Sequence, residues 1–184
     1  MGTYLNPGKD AYEEAINSEI FVDKSEMIHY LNTVVKTKQK YVSVSRPRRF
    51  GKTMAADMIC AYYDREADSR GLFCGRRLSV RVPMESAGRV IRWDAYLGEF
   101  DVIRLVMTDF FNSERSVDDS LSTIRRRVLD ELSESYPETK FDYSDFPFSI
   151  DKFYRKSGRQ FVIVIDEWDA VFRMWKDDAE GQAK

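Results

Sequence analysis

The chain is poor in the residues that build covalent or metal-held scaffolds. It has one histidine, His29, and two cysteines, Cys60 and Cys74, among 184 residues. Two cysteines cannot make a disulfide framework, and their spacing matches no zinc-ligand pattern, so both are expected as reduced thiols. Long apolar runs are missing too. None approaches the roughly 20 residues that a membrane-spanning helix needs. No cationic start followed by an apolar stretch marks a secretory leader. A cytoplasmic chain without a membrane partner is the expectation. An excess of charge of one sign is also absent. The formal net charge is −2, so no global basic field draws in nucleic acid or anionic lipid.

What is present reads as a globular chain. Hydrophobic residues make up 43% and charged residues 33%, outside the disordered and fibrous classes. The length suits one domain, which buries about 70% of the surface its unfolded chain exposes. Residues 10–17 predict a short helix. Met27, Ile28, Leu31, Val34 and Val35 fall on one face of a 3.6-residue period, which predicts a second helix ended by the polar run Lys36 to Lys40. Tyr41 to Ser45 reads as a strand and Pro47 as loop. A helix is predicted from Lys52 to about Asp64, with Met54, Met58 and Tyr62 on one face. Residues 71–98 read as mostly loop with short elements.

Asp101 to Met107 reads as a further strand. Ser116 is placed to cap a long amphipathic helix carrying Val117, Leu121, Ile124, Val128 and Leu132, with Asp118 and Asp119 in its favourable first turn. Tyr136-Pro137 stops it. The aromatic and acidic stretch Phe141 to Phe148 reads as loop and packing, followed by a short helix over Ile150 to Arg155. Phe161-Val162-Ile163-Val164-Ile165 is a continuous apolar run, which predicts a strand buried on both faces of a parallel sheet. Strands alternating with helices give a doubly wound α/β class, in which ligands sit at the carboxyl ends of the strands.

Two motifs lie at such ends. The run Ser45-Arg46-Pro47-Arg48-Arg49-Phe50-Gly51-Lys52-Thr53 ends in the Gly-Lys-Thr of a phosphate-binding loop. Glycine lets backbone N–H groups come close to phosphate, lysine supplies a point charge to the β- and γ-phosphates, and the threonine hydroxyl ligates Mg²⁺. Arg46 stands where the general pattern has its first glycine. The predicted strand–loop–helix setting supports the reading, because a helix N-terminus adds N–H groups aimed at an anion. The nucleotide-binding set is Arg46 to Thr53 with Met54. The second motif is the apolar run followed by Asp166-Glu167, a Walker B arrangement. Asp166 would hold Mg²⁺ opposite Thr53. Glu167 would be the general base for the attacking water, with Lys52 as its catalytic partner at the phosphates.

Together, Arg46-Pro47-Arg48-Arg49-Phe50-Gly51-Lys52-Thr53 and Ile165-Asp166-Glu167-Trp168-Asp169 resemble the AAA-ATPase-like family of bacterial proteins. In that family the Arg-Pro-Arg-Arg-Phe-Gly-Lys-[Thr/Ser] loop is the distinguishing variant of Walker A, so Arg46 matches a family trait. Phe21-Val22-Asp23-Lys24-Ser25 is similar to the segment before the family's first helix, and Leu72-Phe73 and Asp101-Val102-Ile103 match further elements. Trp168 departs from the family's usual Tyr.

The resemblance implies a P-loop NTPase core of the additional-strand (AAA-like) type, a parallel sheet flanked by helices that binds ATP and Mg²⁺. It also implies a frequent C-terminal nuclease-like domain of the PD-(D/E)xK type. The chain reads as a single domain over 1–184: a helical lead-in over 1–40, a nucleotide-binding core over 41–175 and a polar tail over 176–184. No candidate for the family's sensor strand follows Trp175, so the core is expected to be incomplete in its C-terminal part.

Other residues carry weaker signals. Arg46, Arg48 and Arg49 would contact γ-phosphate or a partner, in preference to serving solubility alone. Arg125-Arg126-Arg127 reads as a solvated helix face ahead of a nucleic-acid contact. His29 is expected to be partly exposed and not catalytic. Phe21 to Asp23 line an adenine pocket by family position or simply pack. Asp169 positions Lys52 or a water, or caps a helix. Thr108-Asp109 faces the ligand edge with an open role. The leading reading is an ATPase. The alternative is a non-hydrolysing nucleotide switch that contacts a protein or DNA partner. A third reading is a sheet whose open edge pairs with another copy of the chain.

Overall fold

The computed structural model describes residues 2–45, 47, 49–86, 88–111 and 116–175. The chain divides into two compact units, Asn6–Phe100 on one hand and Met1–Leu5 with Asp101–Lys184 on the other.

The Asn6–Phe100 unit is mainly helical. It contains α1 (Asp10–Ile16), α2 (Glu26–Val34), α3 (Lys52–Tyr63), α4 (Arg70–Phe73) and an antiparallel hairpin of β1 (Met84–Ser86) and β2 (Arg89–Ile91). α3 packs on α1. Met58, Ala61, Tyr62 and Tyr63 are fully buried on α3. Ring contacts join Tyr12 to Phe73 and Tyr62 to Phe73, each at 5.4 Å. Buried hydroxyls need partners. Asn32 supplies them, donating to Tyr62 Oη at 2.8 Å and accepting from Tyr63 Oη at 2.7 Å, while the Tyr62 hydroxyl donates to the Trp93 carbonyl at 2.6 Å. Burial, ahead of every other influence, pushes the Tyr62 pKa up to about 12. α3 ends where Asp64 turns extended, and the Asp64 carboxylate accepts from the N–H groups of Gly8 (2.7 Å) and Glu66 (2.8 Å).

The second unit is built on two parallel strands, β3 (Asp101–Val106) and β4 (Phe161–Asp166), in register from Asp101 opposite Phe161 to Val106 opposite Asp166. Parallel strands need a long crossover. It is supplied by a 3-10 turn (Met107–Asp109), α5 (Val117–Ser135) and α6 (Phe146–Ser157); α7 (Ala170–Met174) follows β4. Ser116 caps α5 as expected, accepting from the Asp119 N–H at 3.1 Å. Ile103 and Leu105 of β3 share a core with Ile124, Val128, Leu129 and Leu132 of α5 and Phe153 of α6. These helices beside a small parallel sheet make an α/β fold.

The other edge of β3 is covered by the first residues of the chain. Leu5 bridges Ile103, and the Arg104 N–H donates to the Tyr4 carbonyl at 2.8 Å. Glu131 of α5 holds this segment in place, its carboxylate accepting from the N–H groups of Thr3, Tyr4 and Leu5 at 3.0, 2.9 and 2.7 Å. Hydrogen bonds to a charged acceptor contribute about 1.5–3 kcal/mol each. Glu131→Ala should therefore destabilise the fold by about 2–4 kcal/mol in chemical denaturation, and Glu131→Gln, which keeps one acceptor, should lose less.

Three expectations are corrected. Tyr41 to Ser45 is not a strand. Its residues have no ladder partner among the described residues, and they are exposed, Tyr41 at 86% and Val44 at 42%. Strand-forming side chains cannot make a strand when no neighbouring edge takes the backbone hydrogen bonds. β4 is not buried on both faces. Ile163 is 58% and Ile165 50% exposed, because among the described residues β4 is paired on one side only, by β3. The helix expected over Ile150 to Arg155 begins earlier, at Phe146. Asp145 accepts from the Phe148 N–H at 3.0 Å, and Pro147 fits the first turn, where a missing N–H costs nothing. The tail over 176–184 lies outside the described residues.

Candidate functional site

The run predicted as a phosphate loop lies in the Asn6–Phe100 unit. Arg46 and Arg48 lie outside the described residues, while Pro47 and Arg49 to Thr53 lie within them. Arg49 has φ +65° and Gly51 φ +70°. Left-handed residues interleaved with ordinary ones turn successive N–H groups into one concavity, an anion-binding nest. Gly51 is the N-cap of α3, and its carbonyl accepts from the Ala55 N–H at 3.1 Å. The first N–H groups of α3 follow at once, with no intrahelical carbonyl to bind. Lys52 and Thr53 expose their side chains on this first turn, Met54 is half-buried, and Phe50 is 63% exposed. Predicted as a sequence run, these residues are held together in space by the helix start.

A residue that sequence reasoning did not assign reaches the same loop. The Lys24 ammonium donates to the Phe50 carbonyl and, at 3.4 Å, to the Gly51 carbonyl. Its neighbours fix its base. Asp23 Oδ1 accepts from the Ser25 N–H at 2.8 Å and Oδ2 from the Arg77 N–H at 3.0 Å, while Ser25 Oγ accepts from the Leu78 N–H at 3.0 Å. Burial works to raise the Asp23 pKa, but the N–H groups of Arg77 and Ser25 and the nearby Arg76 outweigh it and hold it below the ordinary value. Asp23 is thereby a fastening for residues 77–78. Phe21 packs edge-on to Tyr12 at 6.2 Å and lies 5.0 Å from the Arg76 guanidinium.

The acidic pair lies in the other unit, at the end of β4. Asp166 is 8% exposed. Its Oδ1 accepts from the Glu167 N–H at 3.0 Å. Its Oδ2 is buried and has no hydrogen-bond partner among the described residues. Arg104, on β3, brings Nη2 to 3.9 Å from Oδ2, which offsets the carboxylate charge without making a hydrogen bond. Arg104, the one charge in Val102-Ile103-Arg104-Leu105-Val106, was the sequence signal for this pair.

Glu167 adopts φ +51°, a left-handed conformation that is uncommon outside glycine. Its Oε2 accepts from Arg173 Nη2 at 3.1 Å, and Arg173 Nε lies 3.0 Å from Asp169 Oδ2. Asp169 thus sits at the N-cap position of α7 but turns its carboxylate to Arg173 and caps no N–H. Trp168 is 59% exposed and edge-on to Phe172.

His29 is 7% exposed, not partly open as expected. Burial, then Arg81, lowers its pKa against the opposing effect of Glu26. Arg125 and Arg126 are exposed on α5, whereas Arg127 packs on Tyr4 and Phe110. Thr108 and Asp109 occupy the 3-10 turn after β3. Cys60 and Cys74 are free thiols. Shallow depressions lined by Phe148, Asp151 and Lys152, and by Arg125, Tyr143 and Pro147, contain no residue of the Gly-Lys-Thr loop or the acidic pair. No helix among the described residues is long and apolar enough to cross a membrane.

No curated protein and no solved structure matches the chain. One family model does, over residues 8–182, and its description is a predicted AAA-ATPase. A match over nearly the whole chain takes in both the loop at the start of α3 and the acidic pair after β4, so the chain belongs to the AAA-ATPase-like family.

Proposed function

We propose that the chain is a P-loop module that binds ATP with Mg²⁺ and hydrolyses the β–γ phosphate bond. The observation that carries this reading is Gly51, left-handed at the N-cap of α3, with Lys52 and Thr53 exposed on the following turn. N–H groups, a lysine charge and the positive end of a 12-residue helix share one place, which suits a polyphosphate. Arg46, Pro47, Arg48, Arg49, Phe50, Gly51, Lys52, Thr53 and Met54 would form the nucleotide contacts. Lys52 would neutralise charge on the β- and γ-phosphates.

Asp166 and Thr53 would be the protein ligands to Mg²⁺. The buried Asp166 Oδ2, lacking a hydrogen bond, fits an oxygen-preferring cation. Among the described residues no group of three or more acidic, histidine or cysteine side chains could hold a metal. This agrees with a magnesium ion that takes most of its ligands from phosphates and water. When bound, the ion neutralises charge developing on the phosphate oxygens. Glu167 would take the proton from the attacking water as its oxygen bonds to the γ-phosphorus, while the bond to the ADP oxygen breaks.

A second reading rests on Arg173. While its guanidinium donates to Glu167 Oε2, that oxygen is engaged by Arg173 and not turned to an attacking water. The chain would then hold nucleotide without turning it over, as a switch for a protein or DNA partner. Calorimetric titration of ATP with and without Mg²⁺, alongside phosphate release, separates the two. Mg²⁺-dependent binding with release is expected. Binding without release would leave the switch, and absence of binding would remove both readings.

A further inference from the structure

The direction of an amide is fixed by the carbonyl attached to it. A trans peptide is planar, so its C=O and N–H point opposite ways. The Phe50 carbonyl shares its peptide with the Gly51 N–H, and the Gly51 carbonyl shares its peptide with the Lys52 N–H. Lys24 draws both carbonyls to one ammonium. The Gly51 and Lys52 N–H groups are thereby turned to the opposite side, away from Lys24. We infer that Lys24 is a positioning residue that presents the Gly51 and Lys52 amides to a polyphosphate. The inference rests on the phosphate-loop reading and deepens it.

Two features make this a built arrangement and not an idle surface lysine. Asp23 and Ser25, on either side, are both hydrogen-bonded to the 77–78 backbone, and Ser25 is fully buried. The lysine therefore springs from a fixed base and loses less freedom in reaching the loop. The ammonium also stands 2.5 Å from where a Cβ on Gly51 would be. Position 51 favours glycine for its φ of +70°, and a Cβ there would displace the Lys24 ammonium from its place beside the loop.

Pyrophosphate is the probe, because it engages the loop without an adenine or ribose contact. Titration into the full chain should show Lys24→Met binding about tenfold more weakly than wild type, the scale of one charge-assisted hydrogen bond. Lys24→Arg, which keeps the charge and the donors, should recover most of the affinity. The amide resonances of Gly51 and Lys52 should shift in Lys24→Met before any ligand is added, with the thermal midpoint nearly unchanged. A residue that served only general stability would move the midpoint and leave the affinity of the folded protein intact. Lys24→Gln, which keeps a neutral donor, stands in if Lys24→Met does not fold. Wild-type affinity in either variant, where Lys52→Ala loses binding, overturns the role of Lys24. Wild-type affinity in Lys52→Ala overturns the phosphate-loop reading itself.

Discussion

Lys52→Ala is expected to lower ATP affinity at least about a hundredfold, which removes binding from the micromolar range. The lysine is the first residue of α3 and its side chain is exposed. It therefore contributes little to packing, and alanine is the better helix former. The folded protein should survive the change. What is lost is a cation beside phosphates that carry several negative charges, next to a row of N–H groups that is already preorganised. Charge-assisted contacts to two phosphates account for a loss of this size, about 1.5–3 kcal/mol apiece. Calorimetric titration with a melting curve as control checks both halves. Unchanged affinity in a folded variant would remove the loop from the site.

Glu167→Gln should keep ATP binding within about threefold and slow phosphate release by about 10²–10⁴, the usual contribution of a general base. Glutamine preserves shape and can still accept from Arg173, so the backbone after β4 is not expected to change. It cannot take a proton. The position suits a held carboxylate: Glu167 follows the buried Asp166, its carbonyl accepts from the Ala170 N–H at 2.9 Å, and its side chain is tied to Arg173. Such over-determination keeps a residue at φ +51° despite a strain of about 1–3 kcal/mol. Single-turnover phosphate release, measured beside equilibrium binding, is the check. Equal, measurable release in wild type and variant would take the base role from Glu167.

The helices were legible because their signals lie within a few residues. Apolar spacing marked α2 and α5, Ser116 announced its cap, and the Gly-Lys-Thr tripeptide marked the start of α3. The start of α6 was missed although Asp145 and Pro147 formed a local signal, since the aromatic residues around them suggested loop. Tyr41 to Ser45 misled for a different reason. Its side chains have strand character, but pairing depends on what lies beside it.

By itself, the sequence determined the helical periods, the Ser116 cap, both strands of the parallel pair and the composition of the Gly-Lys-Thr loop and the acidic pair. These follow from backbone sterics and from contacts between near neighbours. Only the tertiary structure decided that Lys24 grips a loop 26 residues away, that Arg104 stands beside Asp166, that Glu131 fastens the chain's first residues and that His29 is buried. Each depends on partners far apart along the chain, whose meeting is set by packing that no local pattern encodes.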